Sequence, residues 1–233
     1  EQADLNLVLA TSHGDVERII LAPSDHEECF TMAIEAFNLA EIYQCPVFVL
    51  LDQTIADGKR LIPVPDSSNI EIDRGKLLNN EEIPEENFRR YEITEDGISP
   101  RVVLGNTQAI TKMIGAEHTE DGQVIATPQA IIQMNDKRRR KMETYLKKHF
   151  RDPQVFGDPS ATDVVLVGWG STKSVLEEAR ERLDELNIIT ALIHFTHLWP
   201  IDREKVRTYF PIKTPIVVVE GNATGQFAKI LEW

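Results

Sequence analysis

Apolar positions along the chain follow two alternating rhythms. Short runs rich in β-branched residues are separated by stretches in which apolar residues recur every three or four positions. Val16 to Ala22 (VERIILA) is the first strand candidate. Pro23-Ser24-Asp25 then marks a helix start, with Ser24 and Glu27, or Asp25 and Glu28, spaced for a capping box. Phe30, Ala33, Ile34, Phe37 and Ala40 share one face and predict a helix from Asp25 to Tyr43, which Pro46 stops. Val47 to Leu51 (VFVLL) is apolar throughout, as expected of a parallel strand covered on both faces.

The last third repeats the alternation. Strands are expected over Asp163 to Gly168, Ile188 to Phe195 and Pro215 to Glu220. Helices are expected over Thr172 to Leu186, over Asp202 to Tyr209 with Asp202 as cap, and again from near Thr224. Between the two patterned ends, from Ile55 to Phe156, periodicity is poor and Pro63, Pro65, Pro84 and Pro100 interrupt it. Ten acidic residues face four basic ones between Asp66 and Ser99, so this stretch reads as a polar connection, either a wrapping arm or a plain linker. It closes with a helix over Gln129 to Lys148 that carries the run Lys137-Arg138-Arg139-Arg140-Lys141. Five successive residues circle a helix, so they cannot all meet one partner. A solvated helix is the plain expectation, and contact with acidic elements of this chain or a partner is the alternative. The expected fold class is therefore α/β. Two open, mainly parallel sheet domains, residues 1–60 and 157–233, are joined by a long irregular connection over 61–156.

Charge changes the picture by exclusion. The formal net charge of −13 disfavours nucleic acid, because phosphate binding needs a basic surface. Cys29 and Cys45 form no CxxC pair, so neither a metal site nor an iron–sulphur cluster is expected in this chain. No apolar run approaches the ~20 residues that span a bilayer, and no signal peptide is visible, so a cytoplasmic location is expected. The chain starts at Glu1, not methionine, and ends at Trp233 inside an expected helix, so it reads as a piece of a longer product.

Ligands of open parallel sheets bind beyond the carboxyl ends of the strands. Three loops of the last domain lie there. Gly168, Gly170, Ser171 and Thr172 form a glycine-bearing turn before a helix, which reads either as a tight turn and cap or as an anion site. Lys173 stands where a dinucleotide fingerprint needs a third glycine, and no Walker motif is present. His197 at a strand end is a structural or interface histidine more readily than a general base. Asn222, Thr224 and Gln226 sit on a small-polar loop that reads as a turn, an interface or a ligand contact. In the first domain, Ser12, His13 and Asp15 are too close in sequence to form a catalytic triad without help, and no G-x-S-x-G elbow exists.

Several segments together resemble the alpha subunits of 2-oxoacid:ferredoxin oxidoreductases. They are Glu1-Gln2-Ala3-Asp4-Leu5 followed by His13-Gly14-Asp15, the run from Leu21 (LAPSDHEECFTMAIEAFNLAEIYQCPVFVLLDQ), Arg90 to Val102 (RYEITEDGISPRV) and Gly115 to Gly122 (GAEHTEDG). VLVGWGSTK, LWP and VEGNATGQFAKIL complete the ordered set, which covers nearly the whole chain. The connection EDGISPR is more similar to the 2-oxoglutarate and broad-specificity branch than to the pyruvate branch.

The resemblance implies the second half of a pyrimidine-type thiamine-binding domain at the start and a domain like the transketolase C-terminal domain at the end. It implies oxidative decarboxylation of a 2-oxoacid on thiamine diphosphate, with the acyl group passed to coenzyme A and electrons to ferredoxin. The glutamate that activates thiamine and the segment that contacts the substrate carboxylate lie, in that family, upstream of Glu1. The diphosphate, its magnesium and at least one iron–sulphur cluster belong to the beta subunit. The chain is thus expected to be inactive alone and to bind no cofactor by itself. It would act beside a beta subunit, with gamma and delta parts as further partners, and His13 would be its residue near the substrate. Two other readings stand: a stand-alone anion- or nucleotide-binding α/β module using Gly168 to Thr172, and a non-catalytic assembly protein.

Overall fold

A computed structural model describes residues 2–84, 87–106 and 108–232. Glu1 of the first matching segment, Glu85 and Glu86 of the acidic stretch, and Trp233 at the end of the last expected helix lie outside the described residues. In chain order the elements are α1 (Leu5–Ala10), β1 (Ile19–Leu21), α2 (His26–Tyr43), β2 (Val47–Val49), α3 (Gln53–Asp57), α4 (Pro128–Lys148), β3 (Gln154–Phe156), β4 (Val164–Trp169), α5 (Thr172–Glu185), β5 (Thr190–Phe195), β6 (His197–Trp199), α6 (Arg203–Arg207), β7 (Ile216–Val219) and α7 (Gln226–Leu231). No described helix is long and apolar enough to cross a membrane.

By their contacts the residues fall into two compact units, each discontinuous in sequence. The first comprises Glu1–Phe37, Pro46–Ile70 and Phe150–Trp233, and the second Asn38–Cys45 and Glu71–His149. The first unit holds both sheets. One has the order β2-β1-β6, with β1 and β2 parallel and β6 antiparallel to β1. The other has the order β3-β5-β4-β7, with β4 parallel to β5 and β7, and β3 antiparallel to β5. This is the α/β class expected, but both sheets are mixed: the first has one parallel and one antiparallel pairing, and the second adds antiparallel β3 to three parallel strands. β4 and β5 are apolar at nearly every position because both faces are covered, and β5 is buried along its whole length.

One residue, Thr196, separates β5 in the second sheet from β6 in the first. Its carbonyl accepts the N–H of Ala22 at 2.8 Å, which ties that crossing to the end of β1. His197 is buried in β6, with Nε2 3.2 Å from a Glu35 carboxylate oxygen on α2. Arg151 meets the other oxygen of Glu35 at 2.6 Å, and Phe150 stands edge-on to the imidazole. His197 is thus held inside the fold between Glu35 and Phe150. At the start of α2, Glu28 N–H donates to Asp25 Oδ1 at 2.9 Å, so Asp25 is the cap. The Glu28 carboxylate reaches back one residue further than a capping box requires and accepts from the N–H and hydroxyl of Ser24.

The second unit has no strand among its described residues and takes its order from side chains. One small apolar cluster joins Ile83, Val102 and Ala109 with Leu78 and Phe88 against it, and Tyr43, Met134, Met142 and Tyr145 are buried as well. The basic run on α4 does not form a solvated face. Lys137 is 5% exposed and donates to Tyr91 O and Ser99 Oγ, each at 2.8 Å. Arg138 grips Glu117 with both terminal nitrogens, Arg140 donates to Thr94 O, and Lys141 donates to Gln44 O. Only Arg139, paired with Asp136 at 3.8 Å, remains on an exposed face. Circling the helix is what lets consecutive cations reach separate stretches of the connection. The expected contact with acidic elements of this chain is met at Arg138 by Glu117, whereas Lys137, Arg140 and Lys141 bind neutral oxygens.

Burial pushes the Lys137 ammonium down to about 8, and Lys141, Arg90 and Arg138 push in the same direction. Between that value and the ordinary lysine range, the unfolded chain binds more protons than the folded one, so stability rises with pH across the window. Urea unfolding near pH 7.5 and near pH 10 will show the protein gaining stability relative to its Lys137→Met variant. The expected gain is on the order of 1–3 kcal/mol. A constant gap between the two proteins would contradict the assignment.

Candidate functional site

The carboxyl ends of β1, β2, β4 and β7 lie within the first unit, and polar groups that follow β2, β4 and β7 form a hydrogen-bonded network. β2 runs out through Leu50 and Leu51 into Asp52, which caps α3 by accepting from Ile55 N–H at 3.2 Å. The same carboxylate accepts from Ser171 N–H at 3.1 Å and from Gln2 Nε2 at 3.2 Å. Asp52 is 5% exposed. Burial raises its pKa, but hydrogen bonds from Ser171, Ile55 and Gln2 outweigh burial and hold it below the usual aspartate value.

Gln2 is the second centre, 4% exposed. Its Nε2 also donates to Trp169 O at 2.8 Å, and its Oε1 accepts from Gly221 N–H at 2.9 Å. Its own N–H donates to Gly221 O, and its carbonyl accepts from Asn222 Nδ2. One glutamine thus joins the ends of β2, β4 and β7 (through Asp52, Trp169 and Gly221).

Each residue of the glycine turn has a structural task. A side chain at Gly168 would meet Leu176 Cδ1 at 2.4 Å and Thr172 Oγ1 at 2.6 Å, so glycine lets α5 lie close on β4. Gly170 has φ +60°, and a Cβ there would stand 2.7 Å from Gln2 Nε2. Its carbonyl is 3.0 Å from His194 Nε2. Burial pushes that histidine down to about 4, so the imidazole is neutral near pH 7 and its Nε2–H is the donor. Thr172 Oγ1 donates to Trp169 O at 2.7 Å. The N–H of Ser171, the donor an anion would use, points at Asp52.

The loop after β7 follows the same rule. Asn222 Oδ1 accepts from the N–H groups of Thr224 and Gln226. Buried Gln226 accepts from Asn6 N–H and donates to Ala3 O. Asn222 and Gln226 therefore face residues 2–6 of this chain, whereas Thr224 is exposed. At the start of α7 the Glu220 carboxylate accepts from Phe227 N–H at 2.9 Å and Ala228 N–H at 3.1 Å. At both loops, an internal carboxylate already occupies the position a phosphate would take. His13 lies elsewhere, exposed on the loop that enters the amino end of β1.

Asp52, His194 and Gln2 are absent from the sequence-level site, and Glu220 enters it only as the first residue of the third loop. Asp52 and Glu220 carry a readable signal, an acid directly after an apolar strand run and shortly before a helix. Gln2 carries none, because its partners lie 50 to 220 residues away.

The family model described as pyruvate flavodoxin/ferredoxin oxidoreductase, thiamine diphosphate-binding, matches residues 1–137. The chain is 39% identical over 99% of its length to the alpha subunit of 2-oxoacid:ferredoxin oxidoreductase 1 from Aeropyrum pernix, and covers 36% of that relative. It is 27% identical over 98% of its length to 2-oxoglutarate synthase subunit KorA from Methanothermobacter thermautotrophicus, covering 59% of it. The solved structure of 2-oxoglutarate:ferredoxin oxidoreductase from Magnetococcus marinus, with 2-oxoglutarate, coenzyme A and succinyl-CoA bound, matches 99% of this chain at a TM-score of 0.87 and 31% identity. The chain covers 40% of that structure's chain. It spans little more than a third of the length of the first curated relatives.

The diphosphate of thiamine diphosphate needs free N–H groups and a cation held by oxygen ligands. Ser171, Phe227 and Ala228 already give their N–H groups to internal carboxylates. Among the described residues no group of three His, Cys, Asp or Glu could hold a metal. These loops do not fit the diphosphate end of that cofactor.

Asp52→Ala removes a helix cap and leaves the N–H donors of Ser171 and Gln2 without their acceptor. The expected loss is about 2–3 kcal/mol in urea unfolding at pH 7. Because the Asp52 pKa is lowered, its contribution is complete above about pH 4 and falls away as the pH drops below. The difference between the parent protein and Asp52→Ala will therefore shrink in acid, and a pH-independent difference would contradict this account.

Proposed function

We propose, since this chain belongs to the pyruvate flavodoxin/ferredoxin oxidoreductase, thiamine diphosphate-binding family, that it is part of the alpha subunit of a 2-oxoacid:ferredoxin oxidoreductase. The observation that carries this reading is the agreement with the 2-oxoglutarate:ferredoxin oxidoreductase structure over 99% of the chain. The reaction is oxidative decarboxylation of a 2-oxoacid, transfer of the acyl group to coenzyme A and delivery of two electrons to ferredoxin. Relatives named for 2-oxoacids and for 2-oxoglutarate support the 2-oxoglutarate and broad-specificity branch.

Within that enzyme the chain supplies scaffold and subunit interface. The diphosphate, its magnesium and the iron–sulphur clusters are carried by a partner beta subunit, with gamma and delta parts completing the assembly in the cytoplasm. The internal carboxylates Asp52 and Glu220 support this division of labour, because they occupy the N–H groups that a diphosphate would use. When bound, the cofactor supplies the electron sink for decarboxylation, and this chain's loops brace the fold beside it. His13, on its exposed loop, is the residue of this chain that we place near the 2-oxoacid.

Native purification through a tag on the full-length subunit tests the reading. The expected product contains a second subunit, bound thiamine diphosphate and the brown absorbance of iron–sulphur clusters. It reduces ferredoxin only when a 2-oxoacid and coenzyme A are both present. A colourless protein without a partner, isolated from cells that express the neighbouring genes, would overturn it.

A further inference from the structure

Lys59 to Pro65 (KRLIPVP) follows α3 and belongs to no helix or strand. No described residue offers its backbone a hydrogen bond. Only its root and one side chain are tied. His26 Nε2 lies 3.1 Å from Gly58 O, and Arg60 stands 3.5 Å from Asp25 in an exposed pair. Leu61 is 98% exposed and Val64 92%. The sequence nevertheless keeps the segment extended. Pro63 and Pro65 fix their own φ, and Ile62 and Val64, each before a proline, are held away from helical backbone. In the three-residue turn that such a segment favours, Leu61 and Val64 share one face about 9 Å apart. The result is a preformed arm with two cations at its base, two apolar side chains on one face, and no acid.

Elsewhere in the same unit, a cavity of about 630 Å³ opens between α5 and the start of β5. Phe156, Ala161 and Ile189 give it an apolar lining, and Ile189 is 57% exposed there. Glu177, Glu181 and Asp184 line its rim from one face of α5. Their carboxylates make no hydrogen bond or ion pair with a described residue. Asp158 adds a fourth acid, which accepts from the N–H and hydroxyl of Ser160. The cation of the lining, Arg180, is turned to Thr190 O at 3.4 Å. Three free acids on a helix would by themselves be an ordinary solvated face. What changes the picture is that the chain also carries their complement. The arm has apolar side chains for the lining and cations for the rim, and neither feature meets the other within one copy.

We propose that Lys59 to Pro65 of one copy docks in the α5 cavity of a second copy, which returns its own arm in the same way. Two chains of net charge −13 repel at a distance, so a contact between them needs a place where opposite signs meet. This is such a place, and both halves of it belong to one chain. A reciprocal exchange is closed by a twofold axis, with each copy giving one arm and receiving one. Leu61 and Val64 cover Phe156, Ala161 and Ile189, while Lys59 and Arg60 meet Glu177, Glu181 and Asp184. Arg60 gives up its exposed pair with Asp25, a kind of pair that contributes little. Because the arm is already extended, docking removes little conformational freedom. The proposal concerns how copies of the chain meet and does not depend on the functional reading.

The test uses the full-length subunit in its purified complex, co-assembled from equal amounts of unlabelled and heavy-isotope-labelled subunit. A zero-length carbodiimide joins a lysine amine to a carboxylate only where the two touch. The expected products are peptides that link Lys59 to Glu177, Glu181 or Asp184 and carry one label of each kind; they vanish in Lys59→Gln. In sedimentation velocity, the Lys59→Glu/Arg60→Glu variant is expected to raise the concentration at which copies separate about tenfold. Adding Glu181→Lys/Asp184→Lys is expected to bring it back to within about threefold, which a merely misfolded variant would not show. Lys59 links confined to a single label, links to a different polypeptide of the complex, or no Lys59 link at all would each overturn the proposal. So would a charge reversal that leaves the association unchanged. If the fourfold variant does not fold, the label pattern of the Lys59 links decides alone.

Discussion

The structure of the first unit depends on one buried carboxylate. Asp52 has to be ionised, dehydrated and matched by donors at the same time, and it draws them from three places: its own helix, the turn after β4, and Gln2. A buried anion left without any of these would be strongly unfavourable. The requirement therefore sets the position of the β4 turn relative to the end of β2. Gln2 then extends the constraint to β7 through Gly221. Two sheets that share no ladder hydrogen bond are held in register by one acid and one amide, and by the single-residue crossing at Thr196.

The second unit solves a different problem. Its described residues form only two isolated bridges, so most of its irregular backbone has no strand partner, although Tyr43, Met134, Met142 and Tyr145 are buried in it alongside the Ile83 cluster. Cations on α4 replace the ladder. They satisfy carbonyls that in a sheet would be paired with a neighbouring strand, and the connection can then be irregular without leaving buried acceptors unmet. The cost is a buried ammonium at Lys137, whose partners there are neutral oxygens.

The long apolar runs were legible. VFVLL, DVVLVG, IITALIHF and PIVVVE all contain strands, and α2, α4 and α5 fall within a residue or two of the expected limits. The misses are short. α1, α3, β3 and β6 have three to six residues each, too few for a period to show, and their form is fixed by distant partners. Reading along the chain separates the first and last thirds, whereas β6 pairs with β1 and Gln2 binds Gly221, so contacts place both thirds in one unit. Of the loop residues singled out, Gly168, Gly170, Ser171 and Thr172 do form a tight turn. What they turn around is Asp52, which a motif search for phosphate loops does not examine. The basic run misled for a similar reason: Lys137, Arg140 and Lys141 all donate to backbone carbonyls, which leave no trace in a list of charged residues.

The order of donors and acceptors in the second unit also sets an order in time. The carbonyls of Gln44, Tyr91 and Thr94 are synthesised well before Lys137, Arg140 and Lys141, which satisfy them. During synthesis the acidic connection therefore leaves the ribosome without the helix that organises it, and stays hydrated until α4 has followed. Its low apolar content and its excess of negative charge suit that interval, because a chain that is hydrated and self-repelling neither collapses wrongly nor associates with its neighbours. The composition that reads as a linker in the sequence thus serves the unfinished chain, and the basic helix ends the interval when it folds.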